Sequence, residues 1–79
     1  MHTHTTDRHK VAALRVEAGL SQVQLAELSG VASTTISRIE SGATNGHPTN
    51  IHNIAVALSE KLGRTVSVTD LHVTNEAAS

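Results

Sequence analysis

The chain has 79 residues, with six Lys and Arg against seven Asp and Glu, six His, and no Cys, Phe, Trp or Tyr. Without cysteine there are no disulfides, thiolate metal sites or cysteine nucleophiles. A core without aromatics must come from Leu, Ile, Val and Ala, which favours close helix packing over sheet. The length predicts one domain with one modest core, no separate ligand-sensing domain and hence no small-molecule ligand. No apolar run approaches the roughly 20 residues of a membrane span, and the N-terminus lacks the apolar core of a signal peptide, so a cytoplasmic protein that does not engage membranes is expected.

Residues 1–6, MHTHTT, are polar and aperiodic and read as a flexible arm. A first helix is predicted from about Arg8 to Ala18, capped by Thr6 or Asp7, with Val11 and Leu14 on its inner face. Gly19 reads as the residue past its C-terminus, where a left-handed backbone is tolerated best. Ser21 then caps a second helix of about two turns, and Gln24 completes a capping-box pattern, S-x-x-Q, ahead of the apolar pair Leu25 and Leu28. Gly30 breaks this helix and Val31 is an apolar plug beside a tight turn.

From Ser33 a third helix resumes, with Ile36 and Ile39 three apart on one face and Ser33, Thr34, Ser37 and Arg38 on the others. Such a face, small and rich in donors, suits a helix lying in a DNA major groove: hydroxyls for base edges or phosphates, and an Arg able to bind guanine in bidentate fashion. Ala32, just ahead of it, cannot accept a bond from the helix amides. Either that cap is vacant or Ser33 takes it over by starting the helix one residue later, in which case Thr34 becomes the better base contact.

Ser41 to Pro48, SGATNGHP, reads as a loop. Thr49 or Asn50 caps a fourth helix from about Ile51 to Leu62, with Ile51, Ile54, Ala55, Leu58 and Leu62 at helical spacing and Gly63 as its stop. Thr65 to Val68 is mostly β-branched and reads as extended, Asp70 and Leu71 as a last helical turn after a Ser67 or Thr69 cap, and residues 74–79 as a frayed tail. The expected organisation is therefore an arm over 1–6, a single domain over 7–73 and a tail over 74–79, the domain being an all-α compact bundle of four to five short helices, with a short extended C-terminal segment.

Residues 11 to 62 resemble the Cro/repressor-type helix-turn-helix family, also called the XRE family, through the pattern LxxxxGLSQxxLAxxxGVxxxTISRIExG. The resemblance implies a lambda-repressor-like fold in which Ala26, Gly30, Val31, Ile36 and Ile39 hold the packed positions. It implies an ion pair between Arg15 and Glu40 that locks the reading helix onto the first helix. Function follows as an expectation: a sequence-specific double-stranded DNA-binding transcription regulator, similar to small phage Cro or repressor proteins, acting in a bacterial cell by occluding promoter DNA with its third helix in the major groove. The implied DNA-contacting set is Ser21, Gln22, Ser33, Thr34, Thr35, Ser37, Arg38, Thr44 and Asn45. The loop carrying Thr44, Asn45 and His47 departs from the family in being a little longer and lacking Lys and Arg.

The resemblance also implies dimers on palindromic operators. Val66, Val68, Leu71 and Val73 either form a weak C-terminal interface that assembles mainly on DNA or simply close the single core. A different class of function, an antitoxin-type interaction module that binds a partner protein and autoregulates through the same helix-turn-helix, is the alternative reading. It is disfavoured because little chain follows Leu71 and Val73 to hold a partner.

A formal net charge of −1 is low for a DNA-binding chain. The cations are unevenly spread, with Arg8, Lys10 and Arg15 beside His2, His4 and His9 near the N-terminus and Asp7 the one acid among them. Few neutralised phosphates predict a shallow salt dependence of binding. The histidines lack cysteine companions and any H-x-x-x-H or H-E-x-x-H spacing on a predicted helix, so no metal and no cofactor is expected. Protonation of His2, His4, His9 and His47 below about pH 6.5 is expected to tighten DNA binding. The acids form no paired constellation, the serines no nucleophile elbow and the glycines no phosphate loop, so the chain is not expected to be an enzyme.

Overall fold

In the computed structural model, which describes residues 6–72, local capping chemistry divides the chain into four α-helices and a short 3-10 helix. Helix α1, Arg8–Glu17, starts where the Asp7 carboxylate accepts from the backbone N–H groups of His9 and Lys10. Helix α2, Gln22–Ser29, carries a complete capping box: Gln24 N–H donates to the Ser21 hydroxyl at 3.0 Å, and Ser21 N–H donates to Gln24 Oε1 at 2.8 Å. Gly30 ends it at φ 75°, in the left-handed region that only glycine enters without steric cost. Helix α3, Ser33–Ser41, has Ala32 at its N-cap with no side-chain bond, so the cap is vacant and Ser33 is the first helical residue rather than the cap.

Helix α4, Pro48–Leu62, begins three residues earlier than the Ile51 start expected from sequence, and its cap lies two or three residues before the expected Thr49 or Asn50. The cap is His47, whose Nδ1 accepts from Thr49 N–H at 3.2 Å, and Pro48 occupies the first helical position, where its missing N–H costs nothing. The stretch expected to be a loop from Ser41 to Pro48 is thereby trimmed to residues 42–47. Its Gly46, at φ 79°, passes so close to the core that an added Cβ would lie 2.9 Å from Ile39 Cδ1 and 3.0 Å from Ile51 Cδ1. The final 3-10 helix, Val68–Leu71, is capped by Ser67, which exchanges bonds with Asp70.

The helices close around one aliphatic core, and α2 packs chiefly on α4 and α3. Val11, Leu25, Ile36, Ile39, Ile54, Leu58 and Leu71 are essentially inaccessible, each burial stabilising the fold by about 1.5–3 kcal/mol. Of the apolar pair Leu25 and Leu28, Leu25 is buried and Leu28 is 52% exposed, because α2 buries the side that carries Leu25 and Ala26. Val66 and Leu71 are buried and Val68 packs against them, so these three close the core and are not a free dimer seam; Val73 lies outside the described residues.

Long-range bonds tie the chain's two described ends to each other. Thr6 pairs in an isolated antiparallel bridge with His72, Asp7 N–H donates to Leu71 O at 2.8 Å, and Lys10 Nζ donates to His72 O at 3.0 Å. Thr6 also donates from Oγ1 to Asn45 O at 2.6 Å, so this last residue of the expected arm is held by the domain. The rest of that arm, residues 1–5, and the expected tail, residues 74–79, lie outside the described residues. On the far side an exposed ion pair joins Arg64 to Glu17, with Nη1 to Oε2 at 2.7 Å.

Candidate nucleic-acid interface

Helix α3 is amphipathic in the sense a reading helix requires. Ile36 and Ile39 anchor it to the core, while Thr34, Ser37 and Arg38 are exposed and Ser33 and Thr35 half-buried. Spacing alone explains this: residues 34, 37, 38 and 41 recur at three and four and so share one face, opposite the isoleucines. The vacant cap leaves the amides of the first turn of α3 without a side-chain acceptor, at the end of the helix where the macrodipole is positive.

The placement of α3 is set by one carboxylate. Glu40 accepts from Arg15 Nε at 2.7 Å and from Arg15 Nη2 at 3.0 Å, while Arg15 Nη1 donates to Leu20 O at 2.8 Å. The two side chains are only 16% and 7% exposed, so the pair is largely out of water. Hydrogen bonding to Glu40 raises the already high pKa of the guanidinium, against the opposing effect of its burial and with the help of the Glu40 charge, so Arg15 stays charged. Gln22 adds a third bond, Nε2 to Glu40 Oε1 at 3.0 Å. At the end of α3, Arg8 Nη1 donates to Ser41 O at 2.9 Å, a cation at a helix C-terminus where the macrodipole is negative.

Thr34, Thr35 and Arg38 line one cleft with Thr44, Gly46 and His47, of about 310 Å³. Four of the residues expected to touch DNA, three from α3 and Thr44 from the following loop, are thus brought to one surface. Thr44 Oγ1 accepts from Gly46 N–H at 3.1 Å, which folds the loop back toward α3. Asn45 faces a neighbouring cleft with Thr6, Arg8, His9 and Gly42, and its carbonyl is already bonded to Thr6. Ser21 has its hydroxyl oxygen engaged in the capping box, and the Gln22 amide is bonded to Glu40.

Two roles in this region are not legible in the local sequence pattern. His47, expected in the loop and among the histidines near DNA, caps α4 and shares the cleft with Arg38; the following Pro48 is the signal for the cap, since proline favours the first helical position. Arg8 contacts α3 across 33 positions of sequence, and no local pattern announces that. Among the described residues no group of three or more His, Cys, Asp or Glu is arranged to hold a metal ion.

Comparison with known proteins gives the same architecture a family. A family profile described as a helix-turn-helix matches residues 11–68. A protein of Haemophilus influenzae that carries the name of an uncharacterised HTH-type transcriptional regulator is 41% identical over 61 residues, which cover 77% of this chain and 58% of the relative. The chain thus spans little more than half the length of that relative. With its capped α2, its Gly30 turn and its carboxylate-locked α3, the chain belongs to the XRE-type helix-turn-helix family.

Proposed function

We propose that this protein is a sequence-specific, double-stranded-DNA-binding transcription regulator of the Cro or repressor kind, which occludes promoter DNA by laying α3 in the major groove. The observation that carries this reading is the exposure of Thr34, Ser37 and Arg38 on a helix whose opposite face is locked into the core. Arg38 is the residue suited to read a guanine, through two parallel N–H bonds to O6 and N7, and Thr34 offers a methyl for thymine and a hydroxyl for a base edge. Ser33, Thr35, Thr44, Asn45 and Ser21 flank that face with hydroxyls and an amide for phosphates or further base edges. The role is binding rather than catalysis.

Its weak overall charge, −1 with neutral His, makes hydrogen bonding rather than counterion release the larger part of affinity. No described helix is long and apolar enough to cross a membrane. On a palindromic operator two copies would sit about one helical turn, roughly 34 Å, apart.

The test is selection of bound duplexes from a randomised pool. Enrichment of a consensus supports the reading, and paired half-sites in it report the dimer. A pool that stays random sets the reading aside, reduces the helix-turn-helix to a scaffold and makes a protein partner the next thing to find.

A further inference from the structure

Resting on the DNA-binding reading above, we propose that Asn45–Gly46 is a modification site: the Asn45 side chain deamidates spontaneously, and the carboxylate so formed weakens the hold of the α3 face on DNA. The chain has four asparagines, and the residues that follow them set them apart. Asn50 and Asn53 each precede an isoleucine, whose β-branch shields the backbone nitrogen that must act as nucleophile. Both also lie inside α4, where Ile51 N–H is already bonded to His47 O at 3.0 Å. Asn75 precedes Glu76. Asn45 alone precedes a glycine, which has no side chain to hinder attack, and it is exposed in the stretch between α3 and α4.

The reaction needs only water. The Gly46 nitrogen, having lost its proton to hydroxide, attacks Asn45 Cγ; the new C–N bond closes a cyclic succinimide, the Cγ–Nδ2 bond breaks, and Nδ2 leaves as ammonia with a proton taken from water. Water then adds to one of the two ring carbonyls. Opening at Cγ leaves aspartate at position 45, whereas opening at the main-chain carbonyl leaves isoaspartate, with the chain running through Cγ and lengthened by an atom. Overall a water is consumed and an ammonia released, with no change of oxidation state.

The fold supplies a gate and a consequence. The gate is Thr44, whose Oγ1 accepts from Gly46 N–H at 3.1 Å and so holds the proton that must be lost. The consequence follows from place. Thr44 and Gly46, on either side of Asn45, line the cleft of Arg38, and Asn45 shares its own cleft with Arg8 and His9. A carboxylate there adds negative charge to a chain whose formal net charge is already −1, and it competes with DNA phosphates for Arg8. Isoaspartate does more: Gly46 sits where even an added Cβ would lie 2.9 Å from Ile39 Cδ1, so the longer backbone loses that seat and the loop shifts.

The experiment ages the purified full chain at neutral pH, separates acidic forms by anion exchange, locates the change by tandem mass spectrometry and titrates each form against the duplex that wild type selects. A peptide of residues 41–50 run alongside times the chemistry without the fold. An acidic form is expected to accumulate in wild type through position 45, to be absent from Asn45→Gln, and to form about twofold to tenfold faster in Thr44→Ala, which lacks the gating hydroxyl. It is expected to bind the selected duplex about threefold to tenfold more weakly than the unmodified form of the same sample, a gap that narrows as salt rises. Wild type still intact at position 45 after the peptide has converted, or earlier conversion at another asparagine, overturns the site. An unchanged rate in Thr44→Ala overturns the gate, and acidic forms that bind as tightly as the unmodified one overturn the effect on DNA. A wild type without preference for any duplex overturns the DNA-binding reading, while the mass data still decide the modification.

Discussion

Replacing Glu40 by Ala strips the node that holds α3. Three bonds disappear, two from Arg15 and one from Gln22, and the Arg15 guanidinium is left with the Leu20 carbonyl as the partner that remains. Breaking one side of a buried pair costs about 3–5 kcal/mol, because the surviving charge stays desolvated. Arg15 retains 16% of its side-chain surface, through which water partly compensates, so the lower end, about 3 kcal/mol, applies. For a domain of this size each kcal/mol moves Tm by about 4–8 °C, and Glu40→Ala should lower it by about 12–24 °C. That is a large share of a total of about 4–12 kcal/mol expected for 79 residues.

The assay is thermal unfolding followed by far-UV circular dichroism, with Arg15→Met/Glu40→Leu as the companion variant. Removing both charges together avoids the orphaned guanidinium, so the double variant should melt within about 1 kcal/mol of wild type. A fall of less than about 4 °C for Glu40→Ala, or a double variant as damaged as the single one, would show that desolvated charge is not what makes the site sensitive.

The vacant cap of α3 and the exposed ion pair make two further predictions. Ala32→Ser supplies the missing acceptor and should stabilise the protein by about 0.5–2 kcal/mol, read as a rise in Tm; an unchanged Tm would mean that the first-turn amides already have a partner. Glu17 has its pKa lowered, first by its hydrogen bond from Arg64 and then by the charge of that guanidinium. A lowered carboxylate pKa stabilises the fold above the unfolded-state value, and that contribution is lost as pH falls through the folded-state value. The advantage of wild type over Glu17→Gln should therefore be small but present at neutral pH, shrink with salt and vanish in acid; an advantage that grows below pH 4 would reverse the assignment.

What could be read from the sequence was chemistry confined within a few residues. The Ser21 and Gln24 box, the glycine stops at Gly19, Gly30 and Gly63, and the burial of Ile36 and Ile39 all follow from local capping, left-handed backbone and helical spacing. The start of α4 was misjudged because Gly, Asn and Pro between Ser41 and Pro48 resemble a loop, although a proline directly after a residue able to accept a bond is also how a helix begins. That Leu25 is buried and Leu28 exposed is not legible in the apolar pair, because sequence does not say which side of α2 the neighbouring helices cover. The ties from Arg8 to Ser41, Thr6 to Asn45 and Gln22 to Glu40 span 33, 39 and 18 positions, and nothing local encodes them. At the candidate interface the residues of α3 were legible; how the following loop closes beside Arg38 required the fold.

The claim that α3 reads bases through Arg38 is tested most directly by measuring wild type and Arg38→Ala against the selected duplex and each of its single-base-pair variants. Wild type should lose about 1–3 kcal/mol when one particular guanine is replaced, and Arg38→Ala should become indifferent at that position while keeping its preferences elsewhere. A uniform weakening of Arg38→Ala on every duplex, with the base preferences of wild type intact, would make Arg38 a phosphate ligand and contradict the account.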